Sequence, residues 1–263
     1  YAQARAIFAA LNDTRHLAMV NVNDAISLTY LDDFRQAEDL FKQARAHFES
    51  EEMASIVAQV DLNLAYLYFA QGDYQLALAT FSQAKRTFAA QENYVEIAKI
   101  DLHRSDIYLT LNLWHEALQR AREARPVLEE AGMQWESALL WLNEAAALAH
   151  LDDDGSPAEA LDRARQVFDP ERNAVWLAAT DLYRAIFDWR GGALSSAREH
   201  ALRARDAFSQ AVRRAGLQSR AAQCEVVLGE VALAEGEIEH AAGHFRQGLE
   251  RLEQVDVPAV CFA

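Results

Sequence analysis

Gly72-Asp73-Tyr74-Gln75-Leu76-Ala77 is the middle one of three matching stretches. Asp32-Asp33-Phe34-Arg35-Gln36-Ala37 lies forty residues before it, and Asn112-Leu113-Trp114-His115-Glu116-Ala117 lies forty after. An aromatic residue stands at 34, 74 and 114, and an alanine follows three residues later each time. A second series runs Ala25, Ala65, Ser105, Ala145 and Ala185 in steps of 40, then reaches Gly229 after 44. Every member is small. Two series in phase over this length mark an internal repeat, which decides the fold before any single element does.

Each period carries two helical patterns. Ile56, Val57, Val60, Leu64, Leu67 and Tyr68 keep the i, i+3, i+4, i+7 spacing, as do Leu78, Phe81 and Phe88, with Lys85 interrupting the second stripe. Short punctuation separates the two: Gly72-Asp73, Asn112-Leu113, Gly191-Gly192 and Gly236-Glu237. Glycine there supplies the positive φ that ends a helix and turns the chain back. The unit is therefore an antiparallel helical hairpin. One hairpin cannot bury its own apolar face, and stacking equal hairpins does, which explains a fixed period. Helix axes about 8–10 Å apart leave no room for bulk at closest approach, so the small series has a cause. Ala37, Ala77, Ala117, Ala160, Ala197 and Ala241 take the same role on the second helix, with Phe41, Phe81 and Phe245 filling the gap one turn on.

Two departures from the pattern stand out. Leu151-Asp152-Asp153-Asp154-Gly155-Ser156-Pro157 replaces the short turn of the fourth repeat, and the following helix is predicted to end at Asp169-Pro170. Ser156 fits an N-cap, with Pro157 at the first position and Glu159 three residues on. The fifth repeat has Ala201 where a bulky filler is expected. At the start, Tyr1-Ala2-Gln3-Ala4-Arg5-Ala6-Ile7-Phe8 matches Phe41-Lys42-Gln43-Ala44-Arg45-Ala46-His47-Phe48, so residues 1–11 read as the second helix of a preceding repeat. Repeats are placed at 14–50, 52–91, 92–131, 132–169, 171–215 and 217–254, with 255–263 as a linker. Because Val257-Pro258-Ala259-Val260-Cys261-Phe262 is not a polar cap, the expectation is a single solenoid cut from a longer protein.

Composition agrees. Only 10 glycines and 4 prolines occur in 263 residues, about half the usual share, which disfavours turn-rich β or α/β folds. The net charge of −15 argues against nucleic-acid binding and gives no basic surface for anionic lipid. No apolar run of membrane-spanning length exists, and the first residues lack a leader pattern. Cys224 and Cys261 form no framework and no CxxC pair.

Leu64-Ala65-x-x-Tyr68, followed by Ala77-x-x-x-Phe81 and Ala84, resembles the tetratricopeptide repeat. Ala25, Leu28, Ala37, Phe41 and Ala44 give the same pattern in the first repeat, and Gly229, Ala232, Ala241, Phe245 and Gly248 in the last. The period is longer than the usual 34 residues. It is similar to the long bacterial repeats found beside CHAT peptidase domains, in ATPase-type transcription regulators and in peptide-pheromone receptors. The resemblance implies an all-α, right-handed superhelical solenoid of antiparallel hairpins with about thirteen helices.

Catalytic signatures are missing: no GxSxG, HExxH, P-loop or GxGxxG occurs. His240 and His244 have metal-compatible i, i+4 spacing but no third ligand, and both are expected to point to solvent. Asp101, His103 and Asp106 read as a solvated polar face, and Asp152-Asp153-Asp154 as a loop without EF-hand spacing. One series points to binding. Asn23, Asn63, His103, Asn143 and Tyr183 recur at steps of 40, two residues before the small slot. The resemblance implies that this part of the first helix faces a concave groove, where an amide can both donate to and accept from a peptide backbone. Tyr30, Tyr66, Lys99, Asp106, Arg190 and Trp189 flank it. Asp61, Asp101 and Asp181 precede the asparagine position by two and are expected to be mainly structural. The function expected is a non-catalytic, cytoplasmic signalling scaffold that needs no cofactor and holds a protein or peptide partner. The alternative is an intramolecular sensor that grips another segment of its own chain, or a small effector, and controls an attached CHAT-like peptidase or ATPase.

Overall fold

The computed structural model describes residues 1–151, 155–169, 173–211 and 215–253. Among these residues there are thirteen α-helices and no strand. They are α1 (Ala2–Ala10), α2 (Thr14–Tyr30), α3 (Phe34–Ser50), α4 (Ala54–Ala70), α5 (Tyr74–Ala90), α6 (Tyr94–Thr110) and α7 (Trp114–Glu130). The order continues with α8 (Gln134–Leu148), α9 (Pro157–Phe168), α10 (Ala174–Arg190), α11 (Leu194–Gln210), α12 (Ala215–Ala234) and α13 (Ile238–Glu253). The aspartate triplet at 152–154, Pro170 and the 255–263 linker lie outside the described residues.

The turns are chemically alike. At the end of α2 the N–H of Asp33 donates to the Leu28 carbonyl at 3.0 Å and that of Asp32 to Thr29 at 3.2 Å, the doubled closure of a Schellman motif. Asp33 then caps the next helix by accepting from the Gln36 N–H at 3.4 Å, so one residue closes a helix and opens another. Met53, Asp73, Asn93, Leu113, Met133, Ala193 and Glu237 close their helices in the same way. The positive-φ position in these turns is glycine at 72, 132, 192 and 236, but Asp32, Glu52, Glu92 and Asn112 also adopt it. Ser156 accepts from the Glu159 N–H at 3.2 Å with Pro157 at the first position, as the spacing predicts.

Two compact units are present, Tyr1–Arg104 and Ser105 onward. In the first, α2 packs on α3, α3 on α4 and α4 on α5, while α2 also lies against α4. Ala25, Ala37, Ala65 and Ala77 are fully buried where helix axes come closest, and Phe41, Phe48, Phe81 and Phe88 fill the space between. In the second, each helix from α7 to α13 packs on the next, and α10 touches α8 and α12. Its core runs through Leu142, Leu161, Phe168, Leu182 and Phe208. Trp135 meets Phe168 and Trp176 edge-on at 5.1 and 6.3 Å. Each of the large apolar side chains contributes about 1.5–3 kcal/mol on burial. Gly229 fills the last small slot for a steric reason: a Cβ there would lie 2.5 Å from the Phe245 ring. The phenylalanine slot is emptier than the spacing suggests, because Ala121 as well as Ala201 occupies it.

Candidate interaction face

Charge closes the contact between each second helix and the first helix of the next repeat. Arg45 Nε donates to Asp61 Oδ1 at 2.7 Å, Lys85 Nζ to both Asp101 oxygens at 2.9 and 2.6 Å, and Arg165 Nη1 to Asp181 at 3.1 Å. Arg5 pairs with Asp24 at 2.8 Å, and Arg205 faces Glu225 at 3.9 Å. At the α7–α8 contact the aspartate position holds Trp141; the Arg125 guanidinium lies 3.4 Å over its ring, and the acid is Glu144, held by Arg122 and Arg125. Asp61, Asp101, Asp181, Glu144 and Glu225 are all buried. The aspartate series at 61, 101 and 181 is thus structural. The partner series Arg5, Arg45, Lys85, Arg125, Arg165 and Arg205 is the set sequence reasoning missed. Its signal was a cation every forty residues, read in the one case of Lys85 as an interruption of an apolar stripe.

The predicted groove residues divide. In the first unit Asn23 is exposed on α2, and Asn63 on α4 spends one amide N–H on the Gln59 carbonyl at 2.9 Å. Tyr30, half-exposed, lies 6.1 Å from the Tyr66 ring, and Tyr66 lies 5.2 Å from the His103 ring, which stacks on Phe81 at 5.7 Å. Tyr30, Tyr66 and His103 therefore make one aromatic line across α2, α4 and α6, with Asn63 one turn from Tyr66. Lys99 pairs with Glu96 at 2.7 Å. In the second unit Asn143 is buried and donates to Asp106 at 2.7 Å, tying α8 to α6. Arg220 lies 3.5 Å from the Tyr183 hydroxyl. Arg190, exposed, reaches His150 Nδ1 at 3.1 Å, and His150 stacks flat on Trp114 at 4.0 Å. Trp189 is half-buried. The side chains of Asp101, His103 and Asp106 correct the expected solvated face: they meet Lys85, Phe81 and Asn143.

Two other expectations meet different outcomes. His240 is exposed, but His244 turns inward and its Nδ1 lies 2.8 Å from Glu225. The carboxylate that draws His244 inward is one of the buried junction acids. Among the described residues no three His, Cys, Asp or Glu side chains are grouped to hold a metal ion. Cys224 is a buried free thiol, pushed up to about 12 by burial first and the neighbouring Glu225 second. No helix among the described residues is long and apolar enough to cross a membrane.

No family model matches the chain, and no curated protein matches it in sequence. Solved structures do. A Rap protein complexed with competence and sporulation factor superposes with a TM-score of 0.64 at 14% identity, covering 91% of this chain and 77% of that one. PilW, a widely conserved type IV pilus biogenesis factor, gives 0.59 at 17% identity, over 91% and 98%. BtubC (BKLC) from P. vanneervenii gives 0.56 at 16%, over 97% and 96%. At these identities the likeness concerns the fold, a tetratricopeptide-like helical repeat.

Proposed function

We propose that this chain is a non-catalytic interaction module that binds an extended protein or peptide segment along its first helices. One observation carries the reading: an aromatic and amide strip on α2 and α4 formed by Asn23 and Tyr30, both exposed, and Asn63 and Tyr66, both half-buried. These side chains stand outside the charged closure between repeats, and they bring amide and phenol groups to the same face of neighbouring first helices. An amide offers two N–H donors and two acceptor lone pairs, and Asn63 uses one donor internally. Tyrosine rings supply rigid contact area with a polar tip. The similar structure of a Rap protein carries a bound factor, which gives a precedent for the fold and no more. His103 and Lys99 belong to the same face of the first unit; in the second unit Asp106, Asn143, Tyr183 and Arg190 are the counterparts of Tyr66, Asn63, Asn63 and Tyr30 by repeat position.

The wider context belongs to the same proposal: a bacterial, cytoplasmic signalling or regulatory protein of the long-repeat type, with a CHAT-like peptidase or ATPase as the attached output. The partner is then either a separate chain or another segment of the same one. The test is a pull-down with the chain as bait, followed by titration of the captured peptide. Tyr66→Ala and Asn63→Ala are expected to weaken binding by about 1–2 kcal/mol each; Asn63→Ala leaves the unfolding midpoint nearly unchanged, whereas Tyr66→Ala also gives up ring contacts with Tyr30, Phe69 and His103 and lowers it. Asn143→Ala should do the reverse, lowering stability with little change in affinity. Affinity unchanged in both strip variants removes the proposal.

A further inference from the structure

The arginines of the second unit divide by what they meet. Those at the repeat contacts and along the second helices lie within 3.8 Å of a carboxylate, and so does Arg184 on α10. Among the described residues Arg190, Arg220 and Arg246 are the exceptions. Arg246 stands exposed on α13. The other two are on first helices, α10 and α12, which pack against each other. Carboxylates are not scarce, because 40 acidic residues face 25 basic ones.

Neutral groups meet these two guanidiniums. Arg190, exposed, reaches His150 Nδ1 at 3.1 Å. An imidazole nitrogen that accepts from a guanidinium carries no proton and no charge. Arg220, half-buried, lies 3.5 Å from the Tyr183 hydroxyl. Asp106 acts on Arg220 through space, but it accepts from Asn143 at 2.7 Å and closes no ion pair with the guanidinium. Tyr183 and Arg190 are seven residues apart, on one face of α10 and about 10 Å along its axis. Arg220 approaches Tyr183 from α12. The two uncompensated guanidiniums therefore flank the position that corresponds to Asn63 in the first unit.

We infer that the segment bound along the first helices is acidic where it crosses α10 and α12, and that two of its Asp or Glu side chains pair with Arg190 and Arg220. This rests on the reading of the first helices as the binding face and adds the charge of the ligand. The net charge of −15 would by itself favour a basic partner. Local pairing overrides it, because exposed charges beyond about 8 Å are screened at physiological salt, whereas a guanidinium holds a carboxylate in direct, bidentate contact. Arg190 reaches toward α8 and Arg220 toward α10, so they hold two separate carboxylates rather than one phosphate. An extended chain advances about 3.3 Å per residue, so acids about three or four residues apart meet both. Asp106 repels an acid at α6, which confines the acidic stretch to one end of the segment.

The experiment is selection from a phage-displayed library of random peptides of about 12 residues, with the full chain as bait. Selected peptides should be enriched in Asp and Glu over the input pool. The enrichment should vanish with the R190Q/R220Q double variant as bait. A selected acidic peptide, read by fluorescence anisotropy, should bind on the order of tenfold more weakly to Arg190→Gln and to Arg220→Gln. Its Glu→Gln version should bind weakly and be indifferent to both substitutions. Arg190 is exposed, so Arg190→Gln decides the matter even if Arg220→Gln does not fold. Selected peptides without acidic enrichment overturn the inference and leave binding along the first helices standing, whereas no selected peptide at all overturns both. Affinity unchanged in Arg190→Gln overturns the inference, as does displacement of the peptide by inorganic phosphate as readily as by unlabelled peptide.

Discussion

The α5–α6 and α7–α8 contacts solve one problem with different residues. In the first, Lys85 reaches forward sixteen residues to Asp101, and Phe81 fills the space beneath, stacked on His103. In the second, Ala121 replaces the phenylalanine, Trp141 occupies the aspartate position, and the acid has moved to Glu144. Arg125 then spends its face on the indole and its edge on the carboxylate. Two demands survive the change: a cation from the second helix must meet an anion on the next first helix, and the volume between must be filled. Which position meets each demand is free to vary.

Removing volume from the first contact is the largest available perturbation. Phe81 is fully buried, and Phe81→Ala is expected to cost about 3–5 kcal/mol in a urea titration. Ala121→Phe in the second contact should also destabilise, by about 1–3 kcal/mol, because Ala121 is fully buried and a ring there would overpack its surroundings. A stabilising Ala121→Phe would show that the second contact is underpacked rather than differently packed.

The two acids come next. Glu144→Gln leaves two guanidiniums facing a neutral amide, and a loss of about 3 kcal/mol is expected, measured by chemical unfolding. Asp101→Asn, which takes the carboxylate from both Lys85 and Arg104, should cost less, about 2 kcal/mol, because a lysine ammonium turns more readily to water than a stacked arginine. Equal losses would mean that the cation–π contact adds nothing to the second arrangement.

This contrast also shows what the sequence could and could not disclose. Phe34, Tyr74 and Trp114 with their trailing alanines placed the hairpins, because a repeated packing slot demands a repeated side-chain size. The cations at 5, 45, 85, 125, 165 and 205 were equally periodic, but a polar residue inside an apolar stripe reads as noise until its partner is known. Those partners slide between 24, 61, 101, 144, 181 and 225, so no single spacing finds them. Asp101, His103 and Asp106 were misread for a related reason. A first helix has neighbours on both flanks, as α8 shows with ten buried residues out of fifteen, and its polar residues face other helices rather than water. The proposed strip rests on a step of forty and a residue type that the sequence displays. Which asparagines stay open depends on local partners such as Gln59 and Asp106.

A pH measurement separates the turn beside the second contact from its equivalents. His150, stacked on Trp114 near Arg190, is held down to about 4 by burial first and the guanidinium second. Its ordinary value is about 6.5, so the unfolded chain takes up a proton before the folded one does. Stability is therefore full above pH 6.5 and falls as the pH drops toward 4. With part of the ring open to solvent, the contribution is about 1–2 kcal/mol. Thr110 occupies the equivalent place one repeat earlier and cannot titrate. His150→Gln should flatten this part of the stability profile, and an unchanged difference between pH 7 and pH 5 would show that the ring titrates alike in both states.

The smallest effect concerns the residues that turn the helices. Glu52 and Glu92 adopt φ of +56° and +54° at the position that Gly132 and Gly192 hold at +73° and +79° in other turns. An L residue in this region costs about 1–2 kcal/mol, and glycine returns part of the gain as entropy in the unfolded chain. Glu92→Gly should accordingly stabilise by about 0.5–1 kcal/mol, aided by removing a negative charge from a helix C-terminus. Gly192→Ala should destabilise by about 1 kcal/mol. A Cβ at 192 would meet nothing within 4 Å, so that cost is one of backbone conformation alone. Both shifts are small enough to need paired urea titrations. Opposite signs in the two would establish that the turns share one geometry and differ only in how well their residues suit it.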